Sequence, residues 1–162
     1  MIVVSDTSPL ISLAVVGYLD VLRSLYGQVI IPEVVYQEIM GGVPGLPGAL
    51  EIQGLEWIIS HPVQNDVVVR ALQGELDPGE AEAIALAVEL QADLILIDER
   101  RARAIAARLG LNVVGVLGVL VEAKHRALVP LLKPILDALI TQAGFWVSQQ
   151  LYERVLDVVG EE

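Results

Sequence analysis

Four carboxylates stand where this 162-residue chain could use them for chemistry. Asp6 follows the short apolar run 1–5 and Asp98 follows the run 93–97, so each is the first residue past a predicted strand. If those strands run parallel and lie centrally, both side chains emerge at one edge of the sheet, where open α/β folds bind ligands. Glu38 sits in a helix predicted from Pro32, one turn beyond Val34 and Val35, and so borders its apolar stripe. Glu80 flanks a second stripe made by Ala81, Ile84, Ala85 and Val88. Four carboxylates meeting within about 5 Å would repel by roughly 3 kcal/mol per pair at an effective dielectric near 20. Such a cluster is expected only around a cation. The chain has no Cys, and His61 and His125 are isolated, so the ligands would be hard oxygens that select Mg²⁺ or Mn²⁺. A site of that kind activates water and stabilises charge on a phosphodiester.

Each residue also has a structural reading. Asp is common ahead of helices, where it caps free N–H groups. The tetrapeptide DPGE at 77–80 fits a capping box, with Asp77 at the N-cap and Pro78 in the first turn. Glu38 is equally a solvated helix glutamate. Thr7 or Ser8 caps the helix after Asp6, steadies the Asp6 carboxylate or touches a phosphate. Glu99 is either a spare ligand or a partner for the dipole of its own helix. Arg100 and Arg101, in a run of four arginines within 100–108, either grip substrate phosphates beside Asp98 or form a solvated face over Ala102, Ile105, Ala106 and Leu109.

The elements that must position these groups alternate along the chain. Strands are predicted at 1–5, 28–31, 56–60, 93–97 and 112–116, separated by helical patterns over about 10–22, 32–40, 64–73, 77–90 and 99–109. Residues 41–54, with five Gly and two Pro, read as a loop. Further helical segments follow around Pro130 and Gly144. Strands alternating with amphipathic helices imply a parallel sheet with right-handed crossovers. The expected fold is therefore one three-layer α/β domain, a core over 1–127 with a helical C-terminal extension over 128–162.

Composition narrows the rest. The chain is 54% hydrophobic but only 4% aromatic, which suits a core of Val, Leu, Ile and Ala. No uncharged apolar run approaches the roughly 18–20 residues of a membrane helix. No basic leader opens the chain, and the absence of Cys suits a reducing compartment, so a cytoplasmic protein is expected. A net charge of −11 argues against a broad electrostatic nucleic-acid binder. There is no P-loop, dinucleotide fingerprint or zinc-protease motif. A phosphatase with an aspartyl nucleophile would want an acid at position 8, where this chain has Ser8.

The motifs VVSDTS at 3–8, PEVVYQE at 32–38, GEAEAIA at 79–85 and LILIDE at 94–99 occur in the order found in PIN-domain nucleases. The chain resembles the toxin ribonucleases of that family, and most of all a prokaryotic branch with a longer helical tail. The resemblance implies a divalent-metal endoribonuclease with Asp6, Glu38, Glu80 and Asp98 as its acidic set. It also implies an RNA substrate, a possible antitoxin protein as partner and a homodimer. Two departures stand out: many relatives carry Asp at the position of Glu80, and a hydroxyl residue at that of Leu96. The competing expectation is a degenerate relative kept for binding or oligomerisation, which the high apolar content would also suit.

Overall fold

Apolar residues alternate between two cores along the strands of the computed structural model, which describes residues 1–42 and 44–162. In β1 (Val3–Ser5), Val3 joins one core and Val4 the other. In β4 (Leu94–Leu96), Leu96 joins the first, while Ile95 and, just past the strand, Ile97 join the second. The same parity divides Val29 and Ile31 from Ile30 in β2 (Val29–Pro32). A strand apolar on both faces must be covered on both, which is why these segments read as continuous hydrophobic runs. With β3 (Ile58–His61) and β5 (Val113–Val114) they form an all-parallel sheet in the order β3-β2-β1-β4-β5. Central β1 pairs with β4 in the register Val3↔Leu94, Val4↔Ile95 and Ser5↔Leu96.

Helices α5 (Asp66–Leu72), α6 (Pro78–Glu89) and α7 (Arg100–Arg108) cover the face that carries Val4 and Ile95. The opposite face packs on α1 (Thr7–Val15), α2 (Asp20–Tyr26) and α8 (Val116–His125), joined by α9 (Lys133–Gln142) and α10 (Gln149–Val158). The three-layer α/β expectation is met. No helix among the described residues is long and apolar enough to cross a membrane.

Three local expectations are corrected. The helical pattern over 10–22 is two helices, because Gly17 takes φ +82° after α1. The amides of Gly17 and Tyr18 then return to the carbonyls of Ala14 and Leu13 in a Schellman closure. The strand expected at 112–116 stops at Val114, since Gly115 is already the N-cap of α8. The stretch 41–54 is not all loop: α3 (Glu33–Gln37) gives way to a kink at Gly41, where φ is +148°, and a short helix, α4 (Ala49–Ile52), forms beyond it. Val43, in that stretch, lies outside the described residues.

The last turn of chain ties the C-terminal helices down. Glu161 accepts from the amides of Leu132 (2.7 Å) and Lys133 (3.0 Å) at the start of α9, and its Oε2 lies 3.1 Å from Lys124 Nζ at the end of α8. Burial pushes this carboxyl up, but the two amides and Lys124 outweigh it and hold Glu161 below its ordinary value. A group of depressed pKa contributes stability that is present above the unfolded value of 4.5 and lost as pH falls through the folded one. Glu161→Ala is expected to lower unfolding free energy by about 2 kcal/mol at neutral pH in urea titrations. The difference from wild type should shrink below pH 4.5; equal urea midpoints at neutral pH would refute the clamp.

Candidate active site

The edge of the sheet beyond β1 and β4 is set by one backbone bond, Asp6 N–H to the Leu96 carbonyl at 3.0 Å, which extends the β1–β4 ladder past Ser5. It places Asp6 and Asp98 at the same carboxyl edge, as the sequence predicts. Strand parity then sends them apart. Asp6 is two residues after Val4 and lies on the α6 side. Asp98 is two after Leu96 and lies on the α8 side, where its Oδ1 accepts from Val116 N–H at 2.8 Å.

Asp6 occupies the N-cap position of α1, with extended backbone, yet its carboxylate makes no capping bond. It points to the first turn of α6 instead. A Cβ built on Gly79 would lie 3.0 Å from Asp6 Oδ1, 3.2 Å from Glu38 Oε1 and 3.5 Å from Asp77 Oδ1. Three carboxylates therefore converge on the open side of a glycine. Glu38 reaches this point from the C-terminal end of α3, three residues before the chain kinks at Gly41, whose φ of +148° is not helical. Its other oxygen, Oε2, accepts from the Thr7 hydroxyl at 2.5 Å. The Thr7 hydroxyl thus orients Glu38 and neither caps α1 nor bonds to Asp6, while Ser8 is exposed and makes no cap.

Glu80 is drawn into the predicted capping box. Its amide donates to Asp77 Oδ1 at 2.8 Å and its Oε1 accepts from the Asp77 amide at 3.2 Å. The side chain remains part of the acidic neighbourhood: burial, together with the charges of Asp77 and Glu99, raises it above its ordinary value against the Asp77 backbone bond. Glu99 is settled as the N-cap of α7, accepting from Ala102 N–H at 2.9 Å. Asp77, read from sequence only as a cap, is also a member of the cluster. Glu82 was missed altogether. It lies one residue pair beyond Glu80 on α6, and burial with the charges of Glu33 and Glu38 pushes it up. The overlooked signal was the spacing of acids at 77, 80 and 82 around Gly79.

Burial is the largest influence on Asp6. The Thr7 amide opposes it, but the charges of Asp77, Glu80 and Glu38 add to it, and the carboxyl is pushed up to about 7. Asp98 is raised too, by burial, against the Val116 amide and the Arg103 charge. A Cβ on Gly115 would meet Asp98 Oδ1 and Arg103 Nη1 at 2.7 Å each, so that glycine keeps the two groups facing across a narrow gap. Arg103 also donates to the Ile97 carbonyl at 2.8 Å. Of the arginines named from sequence, Arg100 borders the cavity beside Asp98, whereas Arg101 is exposed elsewhere on α7.

Among the described residues no three acidic or imidazole side chains stand close enough to ligate one ion as they are placed. The donor chemistry nevertheless fits a hard divalent cation. Every candidate ligand is a carboxylate oxygen, three of them face one point, and Asp98 Oδ2 is buried with no hydrogen-bond partner. Asp6, Glu38 and Asp77 would hold such an ion on the α6 side, whereas Asp98 lies on the α8 side against Val116 and Arg103.

A parallel α/β sheet with carboxylates gathered at its carboxyl edge places the chain among the three-layer α/β folds, which bind ligands at that edge. A family model described as a PIN domain (DUF3368) matches residues 2–161, and the chain belongs to the PIN-domain family. The PIN domain is a nuclease-type fold whose members generally use divalent metals. Among solved structures, the fold is similar to a PilT N-terminus domain protein from the hyperthermophilic archaeon Sulfolobus solfataricus P2, with TM-score 0.57 and 21% identity over 76% of this chain and 93% of that one. The comparison with curated proteins gives no match.

Two predictions follow from the crowding. Between its ordinary value of 3.8 and about 7, folded Asp6 keeps a proton that the unfolded chain has lost, so the metal-free fold weakens as pH rises through that window. Asp6→Asn is expected to raise the melting temperature in EDTA, by an amount that grows across the window and is constant above it. A variant that melts with wild type at every pH would show that Asp6 is not under strain. Gly79→Ala favours the helix by roughly 0.5–1 kcal/mol but pushes into Asp6 and Glu38. It should keep or raise the melting temperature in EDTA while weakening Mn²⁺ binding about tenfold by calorimetry; unaltered Mn²⁺ affinity would disprove the convergence.

Proposed function

We propose that the chain is a divalent-metal-dependent endoribonuclease that hydrolyses RNA phosphodiesters. The observation that carries this reading is the meeting of Asp6, Glu38 and Asp77 against Gly79, with Asp6 pushed up to about 7, at the ligand-binding edge of a parallel sheet. A bound Mg²⁺ or Mn²⁺ would supply neutralisation of charge at the scissile phosphate. The chain's own groups do the rest. Asp6 and Asp98 would be the ion's direct ligands. Glu38, fixed by Thr7, and Glu80, held in its capping box, would complete or orient the shell and help take the proton from the attacking water. The motif order supports RNA as substrate, a toxin role controlled by an antitoxin protein, and a homodimer. The lack of Cys supports a cytoplasmic setting.

A second reading, a degenerate member that binds without cutting, is favoured by one observation: Glu80 is committed to its cap and the carboxylates do not close into a ligand set as they stand. A fluorogenic single-stranded RNA assay in Mn²⁺ separates the two. Asp6→Asn and Glu38→Gln are each expected to lower kcat/KM by about 10²–10⁴-fold. Cleavage that survives both would sink the proposed site. No cleavage combined with no Mn²⁺ binding would establish the degenerate reading.

A further inference from the structure

On the α8 side of Asp98 the edge of the sheet opens into a cavity of about 930 Å³ that extends to the segment joining α9 and α10. Val114, Leu117 and Phe145 contribute apolar surface, and Arg100, Arg103 and Arg126 also line it. Three of the ten basic residues of a chain with net charge −11 thus border one cavity, away from the carboxylates gathered at Gly79. Arg100 makes no ion pair among the described residues. Arg126 is oriented by Glu122, another lining residue, which takes its Nε at 2.8 Å and leaves the terminal nitrogens. Beside them stands Trp146, 83% exposed in a chain with only seven aromatic residues. Phe145, immediately before it, is half-buried against the core, and its amide is anchored to the Leu139 carbonyl at 3.0 Å. Trp146 is therefore presented from a fixed base with its ring in solvent. Exposing so large an apolar ring is costly unless something covers it.

Guanidinium groups that follow a backbone, an exposed ring for stacking and a shallow apolar floor are the combination that single-stranded nucleic acid requires. Asp98 is among the lining residues, so a strand lying in the cavity would reach the sheet edge on whose other side the carboxylates gather. We propose that this groove is a subsite for single-stranded RNA, in which Trp146 stacks on a base while Arg100 and Arg126 bind phosphates of nucleotides next to the cut. The inference deepens the nuclease reading and rests on it for the position of the scissile bond. Base stacking depends little on base identity, so the groove would add affinity and directionality more than sequence preference. It also removes the difficulty that so acidic a chain has in holding a polyanion, because the contacts are concentrated on one stripe.

The test uses the full chain and an eight-nucleotide oligouridylate in EDTA, where binding is read without cleavage. The oligonucleotide is expected to quench tryptophan fluorescence in wild type and in Trp57→Phe, but not in Trp146→Phe. Trp146→Ala, at an exposed position, should weaken binding about tenfold. Arg100→Ala with Arg126→Ala should lower affinity and flatten its salt dependence by about two phosphate contacts. Wild-type affinity and quenching in the Trp146 variants would overturn the proposal. Quenching by an acidic peptide but not by the oligonucleotide would overturn it in favour of a protein partner. Hydrolysis of bis(4-nitrophenyl) phosphate in Mn²⁺, a diester too short to span the groove, tests the nuclease reading separately. If that diester and RNA both stay intact while Trp146-dependent RNA binding persists, the groove stands and the nuclease reading falls.

Discussion

A carboxyl group buried among other carboxylates is the constraint around which this molecule is arranged. Asp6 leaves water at the end of the central strand and meets Glu38 and Asp77 instead of a counter-charge. Burial of an ionised acid is costly, and like charges add to the cost. The fold meets that cost with its main sheet: Asp6 cannot retreat, because its amide continues the β1–β4 ladder and Val3 and Val4 on either side of that strand are locked in separate cores. A carboxyl group raised by burial and by like-charged neighbours is most often found at a functional site.

Two glycines act as steric permissions for this arrangement. Gly79 lets Asp6 and Glu38 approach the first turn of α6, and Gly115 lets Asp98 and Arg103 face one another at the first turn of α8. Neither needs unusual backbone geometry. Each is small because an acid lies against it. The same helix starts supply amides: Val116 binds Asp98, and the Asp77–Glu80 box completes α6. Helix capping and site building thus draw on the same residues, so a reading of Glu80 or Asp77 as either cap or cluster member poses a choice that the molecule does not make.

The edge of the sheet has two chemically distinct sides. Toward α6 it is acidic and suited to a hard cation. Toward α8 it is guanidinium-lined, apolar and open, ending at the exposed Trp146. Asp98 belongs to the second side and Asp6 to the first, although they share one rim. A polyanion bound between them would have its backbone held on one side and its reacting phosphate neutralised from the other. Three of the ten basic residues, Arg100, Arg103 and Arg126, stand on that second side in a chain of net charge −11.

Much of the architecture was legible from residue order alone. Short apolar runs alternating with amphipathic helices point to a covered parallel sheet, aspartates after two such runs share an edge if both strands are central and parallel, and DPGE is a local cap whose geometry needs no distant partner. The C-terminal helices were visible as helices, but the clamp by Glu161 was not, because its partners are 28 and 29 residues away. What only tertiary structure decided is direction. Whether Asp98 turns to α6 or α8 depends on a one-residue offset between two strands, and a period of two reverses faces with a single step. Thr7 finding Glu38, Asp77 joining Asp6, and Arg103 facing Asp98 across Gly115 all depend on side chains from separate elements meeting in space. Sequence spacing carries helix and strand periods, which are local; it does not carry the packing that brings one helix start against another strand's end.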